Sequence, residues 1–279
     1  MERKKKISKV IILIILSILA IIFLVPIFLV LMNSFKSRLF ISSAPFEFPT
    51  TDTFVGLENY IKGLTSSGFF AAFGRSLFIT VFSVAIIVLC TSMTGWFIIR
   101  VKSRFNKLLY YLFVFSMIVP FQMVMFTMTY VVTKVGLNNV VGIVFIYLGF
   151  GAGLSVFMLS GFVKSIPLEI EEAATIDGSS PLQTFFMIVF PILKPTAITV
   201  AILNAMWVWN DYLLPYLVLG SDDKTVPVAI QLAMQGAYGA TDYGGFMAML
   251  VLAIIPIVIF YICCQKYIIK GVIAGAVKG

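Results

Sequence analysis

Long uncharged apolar runs alternate with short polar segments along this chain. Val10 to Met32 carries no charge over 23 residues, and comparable runs follow at 76–99, 108–133 and 135–163. Each is long enough to cross a bilayer as a helix, which takes about 20 apolar residues. A fifth run, 195–217, is interrupted by Asn204, Asn210 and Asp211, and a sixth covers 244–265. Residues 225–241 are also uncharged, but Pro227, Gln231, Gln235 and nearby glycines make them a poor span, expected outside the bilayer beside Asp222 and Asp223. Pro120 interrupts the third run, with Gln122 just after it, and Gly149, Gly151 and Gly153 fall in the fourth. Such residues are tolerated in membrane helices where neighbours satisfy the freed backbone, and small residues allow close helix packing. The first run outlasts the apolar core of about 7–15 residues typical of a signal peptide, so it is expected as a retained span. The pattern predicts an all-α polytopic membrane protein with six transmembrane helices.

Between the fourth and fifth runs lies the most polar part of the chain, Ser165 to Pro195. Glu169, Glu171, Glu172 and Asp177, four of the twelve acidic residues, fall within nine positions there. Start and stop signals predict two short helices. Pro167 suits a first turn, where its missing N–H costs nothing, and the glutamates follow near the positive helix end. Asp177-Gly178 reads as the stop, with Gly178 in a left-handed cap. Ser180-Pro181-Leu182-Gln183 reads as the next start: an N-cap serine, a proline and a glutamine that reaches back. Ile170, Ala173 and Ala174 share a small apolar face at helical spacing, which predicts a surface that another backbone could approach closely.

Composition narrows the function classes. The chain of 279 residues is 61% hydrophobic and 11% charged, against roughly a quarter charged in soluble domains. The net charge of +8 comes from basic residues in short loops beside apolar runs, where they set orientation and meet anionic lipid. No basic helix face with interleaved aromatics is present to bind nucleic acid. Histidine is absent, which removes histidine acid–base chemistry and histidine metal sites. Cys90, Cys263 and Cys264 sit in apolar runs without metal-ligand spacing, and no GxxxxGK[ST] loop occurs. No catalytic residue and no metal site is predicted, and any ATP used must be bound by another chain.

Orientation follows from the same basic residues. With both termini cytoplasmic, the inner segments hold fourteen of them: Arg3, Lys4, Lys5, Lys6, Lys9, Arg100, Lys102, Arg104, Lys107, Lys164, Lys194, Lys266, Lys270 and Lys278. The outer segments hold six: Lys36, Arg38, Lys62, Arg75, Lys134 and Lys224. The positive-inside rule favours this arrangement and places the 164–194 loop in the cytoplasm.

The polar stretch also resembles a known element. Glu172-Ala173-Ala174, three residues, Gly178, nine residues, Ile188, one residue, Phe190-Pro191 is similar to the EAA loop of ABC-importer permeases, which usually carry leucine where Phe190 stands. Two further stretches point to carbohydrate-uptake members. Trp209-Asn210-Asp211-Tyr212-Leu213-Leu214-Pro215, followed by Thr225-Val226-Pro227-Val228, resembles their fifth-span exit. Gln265 to Gly271 and Gly275-Ala276-Val277-Lys278-Gly279 resemble the tail of maltose-permease G-type subunits. Phe54 to Tyr60, expected as a short helix or else an ordinary external loop, resembles a segment common after the first span in sugar-importer permeases.

The resemblance implies a type I ABC importer permease fold in a bacterial or archaeal plasma (inner) membrane. It implies a second homologous permease, a dimer of ATPase subunits carrying ATP and Mg2+, an extracytoplasmic sugar-binding protein and a carbohydrate substrate. Glu172, Ala173, Ala174, Asp177, Gly178 and Pro191 are the implied ATPase-coupling residues, and Gly275, Lys278 and Gly279 the implied ATPase contact of the tail. Gln122, Asn204, Asn210 and Asp211 are candidate substrate-pathway residues because polar groups inside spans are functional by default; inter-helix hydrogen bonding is the alternative. The organisation expected is an N-terminal tail, first span and external loop over 1–70, a permease core over 71–270 with its coupling loop at 164–195, and a cytoplasmic tail over 271–279. A secondary sugar transporter driven by an ion gradient is the rival reading. It would be expected to show inverted repeats or ionisable residues within its spans.

Overall fold

Helices account for nearly all the regular structure of the computed structural model, which describes residues 2–66, 68–235 and 242–276. In order these are α1 (Glu2–Asn33), α2 (Arg38–Ser43), α3 (Glu58–Ser66), α4 (Phe69–Arg100), α5 (Arg104–Ser116), α6 (Phe121–Lys134) and α7 (Gly142–Val163). Then come α8 (Leu168–Ile176), α9 (Pro181–Thr184), a π turn (Phe185–Val189), α10 (Phe190–Asn210), α11 (Leu213–Leu219), α12 (Val226–Gln235) and α13 (Tyr243–Ala276). Five of the described helices are long and apolar enough to cross a membrane, or six if the bent pair α5 and α6 crosses as one.

The interruption expected at Pro120 in the third span is a full break between two helices. α5 ends at Ser116, α6 begins after Pro120, and the two axes differ by 108°. Pro120 is in the extended region (φ −62°, ψ 137°). It lacks an N–H to continue the helix, and its ring disfavours helical backbone in the residue before it. The fifth span is also displaced. Its helix runs continuously from Pro181 through the π turn to Asn210 instead of covering 195–217. In the π turn the Phe190 N–H reaches the Phe185 carbonyl, and Pro191 follows at the start of α10. Asp211 then turns extended (φ −73°, ψ 125°) and ends the span. Its carboxylate accepts from the Leu213 and Leu214 N–H groups at 3.1 and 3.4 Å, which starts α11 as a separate element.

The chain divides into two compact units. The first comprises Met1–Phe70 and Ala229–Pro256. Its segment after α1 is folded tightly on itself. Lys36 and Phe54 form an antiparallel bridge, with Ser37 N–H donating to Thr53 O (2.8 Å) and Val55 N–H to Phe35 O (2.9 Å). The buried Asn59 amide donates to both Ser34 O and Lys36 O at 2.8 Å. Lys36 is itself buried, and its ammonium donates to Ala44 O at 2.9 Å. Asn59→Ala would leave two buried carbonyls without partners, a loss of about 2 kcal/mol. Faster trypsin cleavage at exposed Arg38 in detergent is the expected result, with the wild-type rate as the reference.

The second unit comprises Ala71–Val228 and Ile257–Gly279. Its centre is α7, the most buried of the spans: 61% of its most apolar stretch lies inside the protein. Ile143, Ile146 and Tyr147 of α7 pack with Ile79 and Ile87 of α4, Val208 of α10, and Leu214 and Val218 of α11. A second cluster joins Val163 and Ile166 to Phe185, Val189 and Leu193, with Trp96 and Ile99 of α4 against it. Two glycines let α7 approach its neighbours. A Cβ on Gly151 would lie 2.8 Å from the Asn204 side-chain oxygen and from Ile87 Cδ1; one on Gly153 would lie 2.8 Å from the Phe113 carbonyl of α5.

Candidate functional site

The polar stretch folds as a hairpin of α8 and α9 between the ends of α7 and α10. Pro167 caps α8 from just outside its first turn. At the other end Gly178 has φ +84°. Gly178 N–H reaches Thr175 O and Ser179 N–H reaches Ala174 O, both at 3.0 Å, so the last carbonyls of α8 are satisfied by a left-handed cap. Ser180 and Gln183 form the reciprocal capping box expected from their spacing: Gln183 N–H donates to Ser180 Oγ at 3.3 Å, and Ser180 N–H to Gln183 Oε1 at 2.8 Å.

The faces of α8 differ from the sequence expectation in one respect. Ala174 is 6% exposed and turned into the protein together with Glu171, so it does not share an open surface with Ile170 and Ala173. The open side carries Ile170, Glu172, Ala173, Ile176 and Asp177, with Ile176 at 85% exposure. A large aliphatic side chain so exposed beside carboxylates is an unpartnered apolar spot with an acidic rim.

Glu171 was grouped with its acidic neighbours in the sequence, yet it has a distinct role in the fold. Its Oε1 accepts from Arg100 Nε at 2.9 Å and Nη2 at 2.7 Å, and its Oε2 accepts from Trp96 Nε1 at 2.9 Å. Arg100 Nη2 also donates to Ile166 O at 3.0 Å, and the Trp96 ring leans on Phe185 with centroids 5.4 Å apart. The Arg100 and Glu171 side chains are 16% and 9% exposed. Sequence reasoning missed this cluster. Its only local trace is the i, i+4 spacing of Trp96 and Arg100 at the end of α4, and nothing in that spacing points to a carboxylate 71 residues away.

The candidate pathway residues are not gathered. Among the described residues no hydrogen bond joins any two of Gln122, Asn204, Asn210 and Asp211. Gln122 is exposed in the first turn of α6. Asn204 is buried, donating to Ser155 Oγ of α7 at 3.1 Å and to Val200 O at 2.9 Å, the inter-helix bonding that was the alternative for it. Asn210 is exposed and donates to Met206 O at 2.7 Å. Asp211 accepts from Tyr147 OH at 3.1 Å, and Trp207 meets the Tyr147 ring edge to face at 5.3 Å. Pro191 lies in the first turn of α10. Gly275 lies on the backbone of the last turn of α13, whereas Lys278 and Gly279 fall outside the described residues.

Residues 87–274 match the family described as binding-protein-dependent transport system inner membrane component. The chain is 38% identical over 262 residues, 94% of each chain, to the probable starch degradation products transport system permease protein AmyC of Thermoanaerobacterium thermosulfurigenes. It is 37% identical over 284 residues, and over the full length of both chains, to the multiple sugar-binding transport system permease protein MsmG of Streptococcus mutans. In structure it resembles a chain from the crystal structure of a bacterial ABC transporter involved in the import of the acidic polysaccharide alginate. The TM-score is 0.79 at 21% identity, covering 95% of this chain and 98% of that one. That likeness establishes the fold, and the family match and the identities establish membership: this protein belongs to the inner-membrane permease components of binding-protein-dependent transport systems.

Proposed function

We propose that this chain is one of two permease subunits of an ATP-driven carbohydrate importer, and that the α8–α9 hairpin is where the ATPase docks. The observation that carries the proposal is the hairpin itself. It presents Ile170, Ala173 and Ile176 outward with Glu172 and Asp177 beside them, while its inner side is fastened to the membrane helices through Glu171. A knob of this kind transmits force only if something grips it, and this chain carries no nucleotide-binding loop. ATP and Mg2+ therefore belong to a dimer of ATPase subunits. The fourteen basic residues in the segments on the hairpin's side of the spans, against six on the other, support a cytoplasmic hairpin and cytoplasmic termini.

In the proposed cycle the ATPase dimer closes on ATP and draws the hairpins of this chain and of a second permease together. The membrane helices swing from inward-open to outward-open, and an extracytoplasmic binding protein delivers its sugar. Hydrolysis resets the assembly. Glu172 and Asp177 meet the ATPase surface, Ala173 permits close approach, and Gly178 makes the turn; Pro191 starts the helix that carries the motion into the bilayer. Gly275, Lys278 and Gly279 extend the contact from the tail. Asp211, Asn210 and Gln122 are the residues assigned to the substrate pathway, with Trp207 nearby as an aromatic face. The sugar-transport relatives support carbohydrate as the substrate class, and the family description supports a bacterial-type inner membrane.

Uptake of radiolabelled maltotriose, raffinose and melibiose by cells expressing the intact system tests the energy source. Uptake is expected to stop when ATP is depleted and to survive a protonophore with ATP held steady. The reverse pattern would favour an ion-coupled transporter and remove the role given to the hairpin.

A further inference from the structure

We infer that Arg100 and Trp96 are positioning residues that lock the hairpin to the end of α4, so that α4 moves with the hairpin as one body. The inference rests on the reading of the hairpin as the ATPase-docking element and adds how its displacement reaches the membrane helices. In sequence the hairpin connects only to α7 and α10. Both connections have features that can bend. The α7 side passes through a turn at Ser165 to Pro167, and the α10 side passes through the π turn, whose hydrogen bonding departs from the regular helical pattern.

The attachment to α4 is of another kind. One carboxylate accepts three hydrogen bonds from two side chains, and both of its oxygens are used. Two guanidinium donors converge on Oε1 while the indole N–H holds Oε2, so the carboxylate is fixed in angle as well as distance. The same guanidinium holds the Ile166 carbonyl just ahead of the hairpin, and the Trp96 ring leans on Phe185 just after it. One turn of α4 therefore grips α8, the entry turn and the exit turn together. Opening the pair would strand a nearly buried charge, so it holds under load where an exposed ion pair would not. Arginine and tryptophan are both needed: a lysine has no fork, and a phenylalanine has no N–H to offer Glu171 Oε2.

The test uses the assembled transporter with its ATPase and partner permease, carrying spin labels at Phe97 in α4 and at Leu168, an exposed α8 residue off the docking face, on a background with Cys90, Cys263 and Cys264 replaced. In the wild type the distance distribution between the labels is expected to be the same without nucleotide and after trapping with MgATP and vanadate. In R100M and in W96F, which keeps the ring packing on Phe185, the distribution should broaden and shift on trapping. In proteoliposomes both variants should keep hydrolysing ATP while sugar moved per ATP falls about tenfold, a size ordinary for coupling between distant sites. R100K should fall between wild type and R100M, and R100M/E171Q should recover part of the loss because neither charge is then stranded. A wild-type distance that changes on trapping, or full coupling in both R100M and W96F, overturns the lock and leaves the docking role standing. Wild-type uptake that proceeds without ATP overturns both.

Discussion

Gly153→Leu is expected to abolish recovery of folded protein, while Gly149→Leu, one helical turn away, is expected to be tolerated. Both glycines lie in α7, and in the sequence they are equivalent members of one small-residue stretch. In the fold a Cβ at 153 would sit 2.8 Å from the Phe113 carbonyl and 2.6 Å from Ser116 Oγ of α5, and the carbonyl belongs to a helix backbone that cannot step aside. At 149 nothing lies within 4 Å. Overpacking usually costs about 1–3 kcal/mol, and a clash with backbone belongs at the upper end or above. Separating α5 from α7 would also disturb the most buried span of the unit. The monodisperse fraction after detergent extraction, and the fraction surviving a heat step, read the effect directly. Equal recovery of the two variants would mean that α5 and α7 do not approach as described.

The second large effect is functional. Gly178→Val should leave membrane insertion intact and strongly reduce transport. Gly178 holds φ +84° where α8 stops. An L side chain there costs roughly 1–2 kcal/mol, most for a β-branched one. The space around it is open, since nothing lies within 4 Å of the position a Cβ would take. The loss therefore comes from backbone strain alone, relieved by unwinding the end of α8 and displacing Glu172, Ala173 and Ile176. Asparagine tolerates this backbone better, so Gly178→Asn should retain much of the activity. Glu172→Lys, which leaves the turn untouched, should reduce uptake by reversing charge on the outward face. The checks are membrane abundance, ATP hydrolysis and sugar uptake measured side by side. Uptake at the wild-type level in both Gly178→Val and Glu172→Lys would refute the assigned role of this face.

Much of the fold was legible because bilayer crossing imposes a strong local requirement. An uncharged run of sufficient length marks a span without any knowledge of its neighbours. Helix ends were legible for a related reason: the cap at Gly178 and the box at Ser180 and Gln183 satisfy backbone groups with residues three to five positions away. The bounds failed where a helix continued against local expectation. Pro120 was legible as an interruption of the third run, but the 108° between α5 and α6 was not. The fifth span was expected over 195–217, yet the helix runs from Pro181 to Asn210 by passing through a π turn.

The candidate site divides along the same line. Its location, its acidic character and its two short helices follow from the order of residues between Ser165 and Pro195, since caps and charges act over a few positions. Which face of α8 is open does not follow. Glu171 turns inward because Arg100 and Trp96 wait there, on a helix whose contact with it depends on how α4, α7 and α10 pack, and Ala174 shares its side of α8. A carboxylate placed beside three others has no local mark that singles it out for a buried guanidinium. Local chemistry therefore determined that there is a hairpin and where it begins and ends. Only the packing of distant helices decided which of its side chains are fastened to the membrane core and which are left outside to be gripped.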